Sequence, residues 1–226
     1  ADITVIYKPY WSQFDERCTL LQVEEDHRIT AIEVNPIRPR SQNLSLNMYI
    51  LSKALLMEIL DQSISRAGSD WVKDALMKNL HDLEVYGYPF TGYVGKVTSL
   101  PTYYKTSMTL LEPAIWQELF PKTRPVYTKV KNEPPTRYQK TAVVRNSLVA
   151  NGCIIGGTVE NSVLFRGVKV GKGAVIKDSI IMQKSSIGEG CLLQNVILDK
   201  EVVVTALKNL VGDPDYPMVL GKKTVI

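Results

Sequence analysis

The sequence predicts an α/β region followed by a coiled parallel β-solenoid, and two observations lead to this fold class. Between residues 149 and 199 an aliphatic residue returns every six positions. Helices repeat about every 3.6 residues and strands about every two, so a period of six is typical of hexapeptide solenoids. Before residue 112, β-branched runs are mixed with amphipathic helical segments, which is typical of an α/β fold.

The first half of the α/β region predicts four strands and one helix. The strands are expected at residues 3–7, 18–23, 29–34 and 44–51. Ser52 suits the N-cap of a helix over residues 53–62, because its hydroxyl can accept a hydrogen bond from an amide of the first turn. The apolar face of this helix consists of Leu55, Leu56, Ile59 and Leu60.

The second half of the α/β region predicts two more helices and two more strands. A helix is expected from Trp71 to about His81, with Ser69 or Asp70 before it. Strands are expected at residues 83–88 and 92–97. Pro101 suits the first turn of a further helix that reaches about residue 111, because proline lacks the amide hydrogen that this turn leaves unpaired.

Residues 112–141 predict a proline-rich connector that packs between two domains. Its periodic patterns are interrupted by Pro113, Pro121, Pro125, Pro134 and Pro135. It also carries apolar residues, which a free linker would lack: Ile115, Trp116, Leu119 and Phe120. The predicted organisation is therefore an α/β part at 1–111, the connector at 112–141, and a solenoid with a tail at 142–226.

The aliphatic residues that recur every six positions are the anchors of the solenoid. They fall into three frames, because the spacing of six is broken before Leu164 and near Ser185. The frames are Val149 and Ile155, then Leu164, Val170, Ile176 and Met182, then Ile187 and Leu193, ending at Asp199. Small or β-branched residues four positions after most anchors should fill the corners: Cys153, Val159, Val168, Ala174, Ile180, Cys191 and Ile197. The two cysteines are thus expected to be structural. The tail after Gly212 should cover the backbone groups of the open end.

Composition and charge exclude several classes of protein. Net charge is +4, with 27 basic and 23 acidic residues interleaved, which does not suggest a nucleic-acid partner. No apolar run is long enough for a membrane span, and the first residues are unlike a secretory signal, so we expect a cytoplasmic location without membrane contact. His27 and His81 lack partners at metal-ligand spacing, so we expect no metal site.

The whole chain resembles the sugar nucleotidyltransferases, in detail the ADP-glucose pyrophosphorylases (glucose-1-phosphate adenylyltransferases) of bacterial glycogen synthesis. The matching solenoid tracts are NSLVANGCIIG, NSVL, DSIIM and VILDK, which start at Asn146, Asn161, Asp178 and Val196. DWVKD at residues 70–74 is similar to the family's DFGKD, and YPF at 88–90 to its YPF strand. The resemblance implies the C-terminal part of a Rossmann-like nucleotidyltransferase domain, followed by a left-handed parallel β-helix of hexapeptide repeats.

Two departures from the family pattern concern catalysis. The family's glycine-rich phosphate loop and a metal-binding aspartate would lie upstream of residue 1, so the chain resembles a C-terminal piece. The family's Glu-Lys-Pro, whose lysine grips the sugar phosphate, falls on Val34, Asn35 and Pro36, and a neutral Asn35 cannot neutralise a phosphate. The family's YWRDVGT, whose aspartate binds magnesium, falls on residues 93–99. Lys96 replaces that aspartate, and its ammonium repels a metal ion.

These losses resemble the regulatory type of subunit in the family, which is non-catalytic and pairs with a catalytic subunit. Such a chain would need no cofactor itself, since magnesium would be bound by the catalytic partner, and it would form hetero- or homo-oligomers. A vestigial sugar pocket would consist of Asn35, Ser45, Asn47, Asp70 and Lys73. Ser45 as a strand-end residue and Asp70 as a helix cap are equally consistent with the pattern.

The resemblance also implies a site for a phosphorylated effector. In the family a basic residue after an aspartate near the end of the solenoid contacts such effectors, and here it is matched by Lys200, with Lys208 as a further candidate. Simple exposed lysines at corners are the alternative.

Two other functions stay open on the sequence. One is an active nucleotidyltransferase completed by upstream residues or by a partner. A solenoid acyltransferase is disfavoured, because these enzymes usually supply a catalytic histidine and none follows His81. The other is a pure oligomerisation module, with Val202, Val203 and Val204 as an exposed edge of the coil.

Overall fold

The computed structural model describes residues 1–11 and 17–226. They form two compact units, Ala1–Val94 and Gly95–Ile226. The division expected after residue 111 therefore falls inside the second unit. The reason is a helix at residues 100–109, which packs on the solenoid and belongs to it.

One five-stranded sheet forms the centre of the first unit. Its strands are β1 (Ile3–Lys8), β2 (Thr19–Val23), β3 (Ile29–Val34), β4 (Leu44–Leu51) and β5 (Val85–Pro89). Their order is β3-β2-β4-β1-β5, with β1 antiparallel to β4 and parallel to β5. The predicted strands are confirmed within a residue or two at each end.

Helical segments cover one face of this sheet. Helix α1 (Lys53–Ser65) begins as predicted, with the Ser52 hydroxyl accepting from the Leu55 amide at 3.2 Å. The second predicted helix forms as a π-helix, Trp71–Leu76, followed by a 3-10 turn, Met77–Asn79. The buried core between sheet and helices is Ile3, Val5, Tyr7, Leu21, Ile29, Ile32, Ile59, Ala75, Leu76, Leu80 and Val85.

The strand predicted at residues 92–97 is wrong, because this segment is neither helix nor strand. The Lys8 ammonium donates to the carbonyls of Thr91 and Gly92, at 2.7 Å each. These carbonyls are thus bound by a side chain instead of a neighbouring strand.

Two helices begin the second unit. Helix α2 (Leu100–Thr109) confirms the helix predicted near Pro101, and Ser99 and Thr102 form its capping box. Helix α3 (Pro113–Leu119) was not predicted, since the prolines around it suggested a connector without helix. Pro113 stands in the first turn of α3, where proline is tolerated. The solenoid then begins at Arg137, within the predicted connector.

The solenoid is made of three parallel five-stranded sheets that surround one core. The first sheet contains β6 (Arg137–Tyr138), β9 (Ile154–Ile155), β12 (Lys169–Val170), β15 (Ser186–Ile187) and β18 (Val203–Val204). The second contains β7 (Val143–Arg145), β10 (Thr158–Glu160), β13 (Val175–Lys177), β16 (Leu192–Gln194) and β19 (Asn209–Val211). The third contains β8 (Leu148–Val149), β11 (Val163–Leu164), β14 (Ile180–Ile181), β17 (Val196–Leu198) and β20 (Met218–Leu220). The predicted parallel solenoid is confirmed, and its left-handed sense stays a prediction.

The frame slips follow from coils that are shorter than three full hexads. Equivalent residues of adjacent coils are 17 apart in the middle of the solenoid and 15 apart near its start. Ile181 and Leu198 therefore point inward, whereas the frames placed Met182 and Asp199 there. Most predicted corner residues are buried in the core. Ile180 and Ile197 are the exceptions, because neighbouring strand residues face opposite sides of a sheet.

Helix α2 covers the outward-facing Ile180 and Ile197. Tyr104, 7% exposed, packs against both, with Tyr103, Met108, Val163 and Met182 around them. The Tyr104 hydroxyl donates to the Asp178 carbonyl at 2.6 Å and lies 3.2 Å from Asn195 Oδ1. A helix of the expected α/β part is thus joined to the solenoid by both apolar and polar contacts.

The corner before the third sheet carries two ladders of side chains. Asn146, Asn161, Asp178 and Asn195 occupy it in successive coils, all with positive φ, a conformation that Asn and Asp tolerate better than most residues. Beside them, Ser147, Ser162 and Ser179 each accept a hydrogen bond from an amide of the next coil, at 3.1 Å. The tracts NS, NS and DS that carried the family resemblance are therefore corner-forming residues.

The chain end covers part of the last coil, in line with the prediction for the tail. Val225 bridges to Val203, and the Ile226 carbonyl accepts from the Thr205 amide at 2.7 Å. The tail is more regular than expected, since β20 continues the third sheet. The predicted oligomerisation edge is only partly exposed: Val202 and Val204 are buried, and Val203 is 39% exposed.

Candidate functional site

A bulge in β4 brings two polar residues, Ser45 and Asn47, together near the end of the first unit's sheet. Tyr7 pairs with Ser45 but Ile6 with Met48, so the intervening residues of β4 are unpaired. Asn47 lies in this bulge with φ 56°, and its amide donates to the Ser45 hydroxyl at 3.2 Å. Ser45 is buried, at 5% exposed. Bulges re-aim side chains and are frequent beside functional sites.

Tyr49 connects the bulge to the π-helix. Its hydroxyl donates to Asn47 Oδ1 at 3.4 Å, and its ring meets the Trp71 ring edge to face at 5.7 Å. Burial raises the Tyr49 pKa, the hydrogen bond with Ser45 lowers it, and the Asp70 carboxylate raises it. Ser45, Asn47 and Asp70, three of the predicted pocket residues, are thus brought around one tyrosine.

Asp70 caps the π-helix instead of pointing freely into a pocket. Its Oδ1 accepts from the amides of Val72 and Lys73, both at 2.9 Å. Asp74 in turn accepts from the amides of Ser69 and Asp70, at 3.0 and 3.1 Å. The helix-cap reading of Asp70 therefore holds, and the second carboxylate oxygen of Asp70 is the part left for a ligand.

Tyr49 and Trp71 were missed by the sequence reasoning. Tyr49 is four residues from Ser45 on the same strand, a spacing that places both on one face and was an available signal. Trp71 Nε1 is buried without a hydrogen-bond partner among residues 1–11 and 17–226. An indole N–H in this position is a donor that a ligand or water can satisfy.

The two remaining predicted pocket residues of the first unit are exposed. Asn35 follows β3 with φ 51°, and its amide donates to the Cys18 carbonyl at 2.7 Å. Thr19 pairs with Val34 and Leu20 with Leu44, so Asn35 and Ser45 lie at the same end of the sheet, two strands or about 10 Å apart. Lys73 is on the π-helix, and its side chain forms no hydrogen bond with the other pocket residues in the described chain.

Lys96 lies in the second unit, in the segment that precedes α2. Its side chain is half-buried. Within the described residues, no three or more His, Cys, Asp and Glu side chains are grouped so as to hold a metal ion.

The two predicted effector residues, Lys200 and Lys208, lie at different corners of the solenoid. Lys200 follows β17, and its carbonyl accepts from the Lys223 amide at 3.0 Å. Lys208 precedes β19 and is exposed. Lys223 also reaches Glu201 at 4.0 Å. The structure thus places Lys200 with Lys223 and separates both from Lys208.

No helix among the described residues has the length and apolar character that crossing a bilayer requires.

Known proteins resemble both the solenoid and most of the remaining chain. The sequence profile of the family described as "GlmU-like, C-terminal hexapeptide" matches residues 133–215, which span most of the solenoid. The chain is 45% identical over 181 residues to glycogen biosynthesis protein GlgD of Bacillus subtilis (strain 168), covering 80% of this chain and 52% of that protein. GlgD of Geobacillus stearothermophilus is 42% identical over 150 residues, which is 66% of this chain and 43% of that protein.

Similarity extends to enzymes of the same group. Glucose-1-phosphate adenylyltransferase of Halalkalibacterium halodurans is 36% identical over 228 residues, covering 99% of this chain and 59% of the enzyme. The chain therefore spans about half the length of the relatives it matches. With its solenoid, its α/β unit and these similarities, the chain belongs to the ADP-glucose pyrophosphorylase family and corresponds to the C-terminal region of its members.

Proposed function

We propose that this chain is part of a regulatory, non-catalytic subunit in glycogen synthesis. It would assemble with a catalytic homologue that makes ADP-glucose from ATP and glucose 1-phosphate, and modulate its activity. The observation that carries the proposal is Lys96, an ammonium at the position of the family's magnesium-binding aspartate. A fixed positive charge there opposes the metal-assisted phosphoryl chemistry of the family.

The arrangement around Tyr49 supports retention of contacts for a sugar. Ser45, Asn47 and Asp70 remain near one another, which suits contacts to sugar hydroxyls. Asn35 at the same end of the sheet supplies no charge for a phosphate. A neutral sugar group would thus find partners where a phosphorylated one would lack its main contact.

The central experiment is an assay of the protein purified alone with magnesium, ATP and glucose 1-phosphate. The expected result is ADP-glucose formation far below the rate of about 1 s⁻¹ that is ordinary for enzymes. The same protein mixed with a catalytic homologue should change the maximal rate or the substrate affinity of the mixture. Full activity of the protein alone would rule the proposal out.

The second candidate, an active nucleotidyltransferase completed by other residues, is tested by Lys96→Asp. If a nearly complete site exists, restoring the metal ligand should raise activity by at least about tenfold. Lys129→Asp, at an exposed lysine outside every proposed site, makes the same change of charge and serves as the control. A non-catalytic subunit should gain nothing from either variant.

A regulatory role also calls for an effector site, and we place it at Lys200. A phosphorylated effector would meet Lys200 and the neighbouring Lys223 on one corner. Lys200→Ala should therefore weaken the response of the assembled enzyme to a sugar bisphosphate by about tenfold. Lys208→Ala, at another corner of the same coil, should leave the response unchanged. Equal effects of the two variants would remove Lys200 from this role.

The proposal also requires that the protein assembles with the catalytic homologue. Light scattering on the protein alone and with the catalytic homologue should give a larger complex in the mixture. If the protein forms the same oligomer with and without the homologue and does not change its kinetics, the oligomerisation-module reading is favoured instead.

A further inference from the structure

A groove between α2 and the solenoid corner has the composition of a ligand site. It has a volume of about 580 Å³, within the usual range for small-molecule sites. Its lining includes the apolar residues Pro101, Met108 and Pro214. It also includes the charged and amide side chains Lys105, Glu112, Asp178, Gln194 and Asp215. None of these five side chains forms a hydrogen bond or ion pair with another residue of the described chain.

Two buried residues hold the groove in shape. Tyr104 donates to the Asp178 carbonyl at 2.6 Å and so fixes the corner against α2. Asn195, 6% exposed, donates through Nδ2 to the Gly212 carbonyl at 3.2 Å, which fixes the loop that carries Pro214 and Asp215. A groove held in this way loses little freedom when a ligand binds.

The charges of the groove exclude one ligand class. Three carboxylates face one ammonium, so a phosphate or nucleotide would meet mostly like charge, which is unfavourable at close range. The groove thus differs from the Lys200 corner, where Lys200 and Lys223 stand beside Asp199 and Glu201 and the acidic and basic side chains are equal in number.

The hydrogen-bonding character of the groove favours a neutral polyhydroxylated ligand. Carboxylates only accept hydrogen bonds, the Lys105 ammonium only donates them, and the Gln194 amide does both. Sugar hydroxyls both donate and accept, so they can satisfy all three kinds of group. The C–H faces of sugar rings also suit the proline and methionine side chains that line the groove. A polycation would use the carboxylates but would be repelled by Lys105.

We propose that this groove binds a short neutral saccharide, with Gln194, Asp178 and Asp215 as its polar contacts. The choice of glucose oligomers as the saccharide rests on the proposed function in glycogen synthesis, while the hydrogen-bonding argument does not. The site would let the product polymer contact the solenoid directly.

Calorimetric titration of the 226-residue chain tests the site. Maltotriose should bind saturably, with Kd of about 1 mM. Cellotriose, with the same hydroxyls on a differently linked chain, should bind several-fold more weakly if the groove recognises α-linked glucose. Inorganic phosphate should not compete. Saccharide binding is measured without ATP or a partner, so its failure would leave the proposed regulatory function standing, and the converse also holds.

Three variants separate a saccharide from a cation. Gln194→Ala should weaken maltotriose binding at least about fivefold. Asp178→Asn keeps the corner, since asparagine fills it in three other coils, and should change maltotriose binding by no more than about threefold. The same substitution should weaken any spermine binding about tenfold, because it removes a charge. Glu189→Ala, an exposed carboxylate at another corner, is the matched control.

The proposal is overturned if maltotriose does not bind, or if Gln194→Ala binds it like the parent protein. It is also overturned if spermine binds more tightly than maltotriose, since the groove would then be a cation site. Thermal unfolding of each variant, measured beside the titration, shows whether lost binding reflects a lost fold.

Discussion

The two compact units bury their apolar residues in different ways. In the first, helices cover one face of the sheet, and on the opposite face Met48, Ile50 and Tyr88 remain 56%, 64% and 60% exposed. In the second, three sheets enclose a common core, and the strands of each coil pair in parallel with those of the coil before it. The first unit therefore depends on contacts between unlike elements, whereas the second depends on a repeated backbone geometry.

The largest expected effect comes from a methyl group placed between two coils of the solenoid. A Cβ at Gly157 would overlap the Ala174 carbonyl and lie 2.9 Å from the Gly171 carbonyl, and backbone cannot move aside as a side chain can. Gly157→Ala should lower the free energy of unfolding of the second unit by about 3 kcal/mol. Denaturant unfolding measures it.

Gly221→Ala is the control for this steric effect, because among the residues that the structure describes no non-neighbouring atom lies within 4 Å of its added Cβ. It should change the stability by less than about 0.5 kcal/mol. Similar losses in the two glycine variants would contradict the idea that close stacking of coils limits this unit.

Removal of a rung from the serine ladder should have the next largest effect. Ser179 is fully buried, and its hydroxyl accepts from the Val196 amide and donates to the Lys177 carbonyl. Ser179→Ala leaves that amide unpaired and should cost about 2 kcal/mol. Ser147→Ala, the half-buried rung at the start of the ladder, should cost less in the same urea titration. If Ser179→Ala left the free energy of unfolding unchanged, the serine ladder would not be needed for the stacking of the coils.

High pH should lower the stability of the second unit through ionisation of Tyr104. Burial, and then the charge of Asp178, raise its pKa from 10.0 to about 12. In the unfolded chain the phenol therefore ionises first, so the stability it contributes is present below pH 10 and is lost between about pH 10 and 12. Tyr104→Phe should cost about 1 kcal/mol at neutral pH and flatten this alkaline decline.

Tyr138→Phe, at a tyrosine that is 55% exposed, is the matched control and should behave as the parent protein. Unfolding followed by circular dichroism across the alkaline range gives both curves. An unchanged alkaline decline in Tyr104→Phe would assign that decline to other groups.

Low pH should lower the stability of the first unit through protonation of Asp74, and this is the smallest of the expected effects. The Asp70 amide, the Lys78 ammonium and the Ser69 amide hold the pKa of Asp74 at about 2, below its ordinary 3.8. The contribution of this carboxylate is therefore present above about pH 4 and is lost as the pH falls towards 2. Asp74→Asn should reduce the acid sensitivity of the Trp71 fluorescence signal. Asp82→Asn, an exposed carboxylate nearby, should not.

Local signals were enough to predict most elements of the fold. Ser52 before an amphipathic segment marked α1, and the period of six marked the solenoid. The prediction failed where distant contacts decide. Residues 92–97 were predicted as a strand, but Lys8, far away in sequence, binds the first carbonyl of this segment, that of Gly92. Helix α3 was missed because prolines were read as interruptions, although one of them stands in its first turn.

The candidate site was predictable in type but not in detail. Ser45, Asn47 and Asp70 were named from the family resemblance, and the structure brings them together around Tyr49. The bulge that does so depends on the pairing of β1 with β4, which no local pattern in β4 reveals. The inward residue was misplaced at Met182 because equivalent residues of adjacent coils are 17 apart here, one fewer than three full hexads.

The loop at residues 212–217 shows that a coil of this solenoid can gain residues without a change in how its strands stack on the coil before it. Val196 pairs with Met218, so extra residues enter the coil at this corner while the strands on either side stay stacked. Closing a slightly longer surface loop costs little free energy. Corners of this kind are therefore sites where evolution can lengthen the chain, or a protein engineer can insert a peptide tag, without rewriting the core.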